Sequence, residues 1–227
     1  MNYMQLRKVL FSVGCSAATV VSFSEIAIAI NYNTFSGFLT AQQPNCSKPI
    51  TDRELRICSQ LHYDRENSKL NRVYNQLQQQ LPNNRKQQLI ESQKLWIAFR
   101  DAHCDFRRSR VAGGTADPII YYGCLAQLTK LRASELTGYT QNQIPVPISP
   151  NLEIPDRKLN QIYQQLMGKI EPKYQDKLRL VHRAWIPFRD ANCEFESSQA
   201  GTSREFCRVR MTEQQGDRLT ELGEMFF

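Results

Sequence analysis

The feature that most constrains this chain is that it repeats itself. Leu70-Asn71-x-x-Tyr74 returns as Leu159-Asn160-x-x-Tyr163, and Trp96-x-x-Phe99-Arg100-Asp101-Ala102-x-Cys104 returns as Trp185-x-x-Phe188-Arg189-Asp190-Ala191-x-Cys193. Both correspondences lie 89 residues apart, without a gap from Leu70 to Phe106, whereas Cys124 and Cys207 lie 83 apart. The second copy has thus lost six residues in the connection Ser109 to Pro118. A fixed offset is the signature of a duplicated structural unit. Between the copies, Thr140 to Asp156 carries Pro145, Pro147, Pro150 and Pro155, which favours an extended, semi-stiff linker. The predicted organisation is a leader (1–29), a flexible segment (30–45), copy one (46–139), a Pro-rich linker (140–157) and copy two (158–227), with the copies as two domains.

Apolar spacing within each copy is helical. Thr51-Asp52-Arg53-Glu54 has the capping-box pattern, and Leu55, Cys58, Leu61, Leu70, Val73, Tyr74, Leu77 and Leu81 fall mostly at steps of three and four. Pro82-Asn83-Asn84 ends that helix, and a second stacks Leu89, Gln93, Trp96, Ile97, Arg100 and Cys104 along one side. Asp117-Pro118 offers an N-cap and a first-turn proline to a third, which carries Ile119, Tyr122, Leu125, Leu128, Leu131 and Leu136 and stops at Gly138. Copy two repeats this over Leu159–Met167, Pro172–Phe195 and about Ser203–Gly223, with Pro187 expected to kink its second helix. No stretch of alternating β-branched residues is long enough for a sheet. The fold class is all-α: two tandem three-helix units, each stapled by disulfides.

The expectation of disulfides rests on export. Arg7 and Lys8 precede an apolar run from Val9 to about Ser22, and Ala27-Ile28-Ala29 matches the small-x-small pattern cut by signal peptidase. The run is shorter than the ~20 residues of a membrane-spanning helix, so the mature chain is expected to lack a transmembrane segment and to be periplasmic or secreted. Cleavage after Ala29 removes Cys15 and leaves Cys46, Cys58, Cys104, Cys124, Cys193 and Cys207, an even number in an oxidising compartment. Copy two holds only Cys193 and Cys207; if it closes its own bridge, homology pairs Cys104 with Cys124 and leaves Cys46 for Cys58. A bridge between the copies is the alternative. There is no C-x-x-C, and His62, His103 and His182 are far apart, so neither a metal site nor a cofactor is expected.

The segment Trp-x-x-Phe-Arg-Asp is the most specific chemistry present. Trp96, Arg100 and Cys104 share a helix face, with Asp101 about 100° away, and Trp185, Arg189 and Asp190 repeat this. As architecture, the aromatics pack the core, Cys anchors the third helix, and Arg with Asp makes ion pairs to neighbouring helices; as function, the Arg/Asp pair clamps a carboxylate or sugar. Catalytic patterns such as G-x-S-x-G, H-E-x-x-H and S-x-x-K are missing, so a non-enzymatic role is expected. Charge is uneven: Ile30 to Tyr139 holds 15 Lys/Arg against 9 Asp/Glu, and Thr140 onward holds 12 of each. Arg107, Arg108 and Arg110 cluster at the end of the second helix, where they complement the helix dipole or meet an anionic envelope polymer. Export disfavours nucleic acid.

The order Cys46…Cys58…Leu70-Asn-x-x-Tyr…Gln93-x-x-Trp-x-x-x-Arg-Asp-x-x-Cys104…Gly113-Gly-Thr…Cys124…Leu128-Thr-x-x-Arg132-x-x-x-Leu136 resembles the lysozyme-inhibitor LprI-like N-terminal domain family. Copy one carries the pattern over about ninety residues. Copy two keeps the central block but lacks counterparts of Cys46 and Cys58, and has His182 for Gln93 and Gln215 for Arg132. The resemblance implies an exported, disulfide-bonded helical domain that binds and inhibits a lysozyme-type muramidase. A basic lysozyme would need an acidic patch, for which Glu194, Glu196 and Glu205 are the local candidates. An interaction module for anionic cell-wall polymer or another periplasmic protein is the alternative.

Overall fold

Six α-helices and one short 3₁₀ turn carry the computed structural model, which describes residues 44–148, 151–198 and 203–226; these belong to one unit spanning 43–227. The leader, Cys15 and most of the expected flexible segment lie outside the described residues. No strand occurs among the described residues.

Local chemistry sets the boundaries. Helix α1 (Asp52–Gln80) starts at a capping box: Glu54 N–H donates to Thr51 Oγ1 at 3.2 Å, and Thr51 N–H donates to the Glu54 carboxylate at 2.9 Å. Helix α2 (Asn83–Arg108) follows Pro82 directly and runs into a 3₁₀ turn, Ser109–Val111. Helix α3 (Asp117–Thr140) is capped at Ala116, not at Asp117. The Asp117 carboxylate instead accepts from Gly113 N–H at 2.8 Å and from Arg108 at 3.2 Å, which closes the loop before the helix. Nor does α3 stop at Gly138. It runs one half-turn further, and Gly138 is needed for another reason: a Cβ there would sit 2.5 Å from the Gln143 carbonyl, where the chain folds back over the helix end.

In copy two, α4 is Glu153–Lys169, α5 is Pro172–Ser197 and α6 is Arg204–Phe226. Helix α4 therefore takes up the last part of the expected linker; Pro155 falls in its first turn, where a missing N–H costs little. Helix α5 continues through Pro187, so the bond lost there does not end it. All three bridges close as homology indicated, Cys46–Cys58, Cys104–Cys124 and Cys193–Cys207, and none joins the copies.

Packing departs from the two-domain expectation. Helix α1 lies on α3 and α4 on α6, but the main partner of α2 is α5, from the other copy. These two run antiparallel: Arg85 covers the Phe195 ring, Ser92 bonds to Asn192, and Phe99 stacks on Phe188 with centroids 5.7 Å apart. Phe99 and Phe188 are repeat counterparts, and a residue stacked on its own counterpart marks a local two-fold axis. One core cluster accordingly draws Leu70, Leu77, Leu89 and Phe99 from copy one together with Leu159, Leu178, Trp185 and Leu219 from copy two. The physical reason is coverage. Three helices of one copy leave a second apolar face of α2 bare, and its equivalent on α5 is the matching surface.

Candidate functional site

The repeated Trp-Arg-Asp segment forms the same small construction twice. Arg100 lies over the Trp96 ring at 5.0 Å and donates to Asp101 from Nε at 2.8 Å and Nη2 at 2.7 Å. Arg189 lies over Trp185 at 4.9 Å and donates to Asp190 from Nε and Nη2, both at 3.0 Å. Each guanidinium is thus stacked on its tryptophan and side-on paired, with Arg100 also facing the Tyr63 ring and Asp190 also receiving Arg208. The arginines at the end of α2 are engaged as well. Arg107 donates to Gln127, Arg108 pairs with Asp105 and Asp117 over the Tyr121 ring, and Arg110 donates to the Met225 carbonyl beneath the Phe226 ring. Of the acidic candidates, Glu194 pairs with Arg204 at 3.0 Å and Glu196 is buried against Arg210, while Glu205 is exposed.

The densest polar chemistry lies where the copies meet. Arg132 on α3 is fully buried and uses every edge of its guanidinium: Nε donates to Gln93 at 3.1 Å, Nη1 to Glu135 at 2.6 Å and Asn192 at 2.7 Å, and Nη2 to Ser92 at 3.0 Å. Asn192 on α5 donates back to Glu135 and to Tyr139, whose hydroxyl donates to Glu196 at 2.7 Å; Glu196 also takes Arg210 of α6. Burial pushes the Glu135 carboxyl up, but the Arg132 and Arg210 guanidiniums outweigh it and hold it below the usual carboxylate range. Burial wins at Glu196, whose carboxyl is raised, and at Tyr139, raised by burial and by both carboxylates. Four helices from two copies are locked in register by this network, and removing one partner would strand the rest in a low dielectric.

Beside the network lies a cleft of about 500 Å³, between α3 and α6. Its walls obey the repeat. Leu128 faces the role of Met211, Leu131 that of Gln214, Ser134 that of Asp217, Glu135 that of Arg218 and Gly138 that of Glu221, every pair at the 83-residue offset; the floor is the Phe99–Phe188 stack. The cleft therefore sits on the local axis and is built by both copies. Chemically it is lopsided: the α3 charges, Arg132 and Glu135, are paired with each other, whereas the α6 lip carries Asp217 and Glu221 without a hydrogen-bond or ion-pair partner among the described residues. Of the residues singled out in the sequence, only Trp96 lines it. Leu131, expected in the core, is 48% exposed at its lip. One signal could have pointed here: Arg132 stands in the stripe Leu125, Leu128, Leu136, where a charge must have a buried partner.

A family model described as lysozyme inhibitor LprI matches residues 45–136 and again residues 139–222. An uncharacterised protein of Rhizobium meliloti (strain 1021) is 28% identical over 107 residues, covering 41% of this chain and 77% of that protein. The crystal structure of an uncharacterised protein from Burkholderia thailandensis has the same fold, with a TM-score of 0.58 at 19% identity over 77% of this chain and 88% of that one. With both copies matched from Cys46 to past the last bridge, the chain belongs to the LprI lysozyme-inhibitor family, as two tandem copies of its domain.

Proposed function

We propose that this chain is an exported protein-binding module of the lysozyme-inhibitor type, which blocks a lysozyme-type muramidase by occupying its surface. The observation that carries the reading is the family match over both copies. Three intact bridges support an extracytoplasmic home, because such bonds persist in oxidising compartments. No helix among the described residues is long and apolar enough to cross a membrane. The test is direct. Oxidised protein, titrated into lysozymes of basic and acidic charge, should slow lysis of a cell-wall suspension for at least one of them. Full lysis rate for every enzyme at large excess removes the reading. Intact-mass analysis of the exported protein should place its first residue at Ile30.

A second reading has its own support. Arg53, Arg56, Arg65 and Arg72 are exposed along α1 and make no ion pair with an acidic side chain, so copy one presents a cationic ridge suited to an anionic wall polymer. Retention on peptidoglycan that fades steeply with salt would favour it, since exposed charges are screened beyond ~10 Å at 0.1 M ionic strength.

A further inference from the structure

The α6 lip of the axial cleft holds two exposed carboxylates one helical turn apart, Asp217 and Glu221, and neither has a hydrogen-bond or ion-pair partner among the described residues. Glu224, also exposed, extends the same side of α6 three residues on. Across the cleft the lip is Leu131, with Phe99 below. Two of the cleft's cations are already spent, Arg132 on Glu135 and Arg210 on Glu196; the remaining one is Arg218, stacked over Phe99 and facing Glu135, Asp217 and Glu221. An exposed leucine facing two carboxylates across the cleft suits a long aliphatic stem ending in a cation.

Resting on the reading of this protein as a protein binder, we infer that the axial cleft is the docking point for a basic partner and receives one of its lysine or arginine side chains. The methylene stem lies along Leu131, and the charged head sits between Asp217 and Glu221, competing with Arg218. Charge complementarity chooses the occupant. The chain is basic in sum, yet Asp217, Glu221 and Glu224 set three exposed carboxylates on this one helix edge, so a basic partner is steered here and repelled by the cationic face of α1.

The experiment is calorimetric titration of the intact, oxidised chain with a hexalysine peptide, alongside lysis assays with a basic lysozyme. Asp217→Lys/Glu221→Lys should weaken peptide binding about tenfold or more at low salt, while Arg218→Gln should tighten it. Asp64→Lys, on the exposed face of α1, should leave it unchanged. If the double reversal disturbs the helix signal in circular dichroism, Asp217→Asn and Glu221→Gln serve instead, each with a smaller loss. Peptide affinity that ignores these changes overturns the inference. Lysozyme inhibition that survives the reversal also overturns it and leaves the inhibitor reading standing. Charge-sensitive peptide binding without inhibition of any lysozyme does the opposite: the cleft is then a cation-binding dock, and the inhibitor reading falls.

Discussion

The local two-fold axis makes two equivalent junctions, and the chain has furnished them differently. At one, α5 brings Asn192 and Glu196 to Arg132, Glu135 and Tyr139, and the hydrogen bonds close on one another. At the other, the counterparts are His103, Arg107, Gln215, Arg218 and Leu222. Carboxylates have become guanidiniums there, and the central arginine has become an amide. His103 Nδ1 and both amide atoms of Gln215 are buried without a protein partner. Burial, followed by Arg218 and Arg107, pushes the His103 imidazole down to about 3, so it is neutral in the folded protein. Duplication supplied the backbone twice, but only one junction holds a polar lock. The other keeps the fold by shape alone.

The largest expected difference comes from breaking the lock. Arg132→Met should cost about 3–5 kcal/mol in urea denaturation, because Glu135, Asn192 and Ser92 are left buried and underpaired. The matched change Gln215→Met should be neutral, or stabilising by up to about 1 kcal/mol, since it removes an amide that no protein group satisfies. Equal costs would mean that the two junctions are energetically alike after all.

Next come the bridges, which are equivalent by descent. Replacing Cys104 and Cys124 by Ala should cost about 3 kcal/mol, and replacing Cys193 and Cys207 nearly the same, because closure entropy varies only logarithmically with loops of 20 and 14 residues. Shared burial of the sulfurs keeps the comparison fair. A bridge in copy two worth much less would show that its loop is already restrained by the junction.

The smallest effect is a pH slope. Between its folded value of about 3 and its unfolded value of 6.5, His103 binds more protons in the unfolded chain than in the folded one. Its contribution is therefore complete above 6.5 and is lost as pH falls, by at most about 1.4 kcal/mol per unit. His103→Asn, which installs the residue found at the other junction, should flatten the fall in unfolding midpoint between pH 6 and pH 4. An unchanged slope would move the acid sensitivity elsewhere, with Glu135, whose depressed carboxyl acts in the same direction, the next group to replace.

Much of this architecture was legible before any coordinates. Periodicity and caps placed the helices because those signals are local: Thr51 and Glu54 settle the start of α1 within one turn. The repeat narrowed the bridges, because copy two has only two cysteines and closing its own bridge fixes the others by homology; the structure excludes the alternative of a bridge between the copies. What stayed hidden was which surface covers which. The repeated Trp-x-x-Phe segment says that Trp96 and Phe99 pack the core, but not that Phe188 buries one of them. The lock was hidden for the same reason, with Ser92, Arg132 and Asn192 separated by 40 and 60 residues. Arg107, Arg108 and Arg110 read as a cluster, yet two of them answer to an aspartate and a helix end that lie 9 and 115 residues away.

The Phe99–Phe188 stack has a consequence for how such a chain must be assembled. A solitary copy would carry a naked aromatic strip along α2 and would have to borrow a second molecule to hide it, at a rate set by dilution. Here the short connection between α3 and α4 keeps the matching strip within reach on the same polypeptide, at an effective concentration on the order of millimolar. Pairing becomes a property of each polypeptide, indifferent to how scarce the protein is.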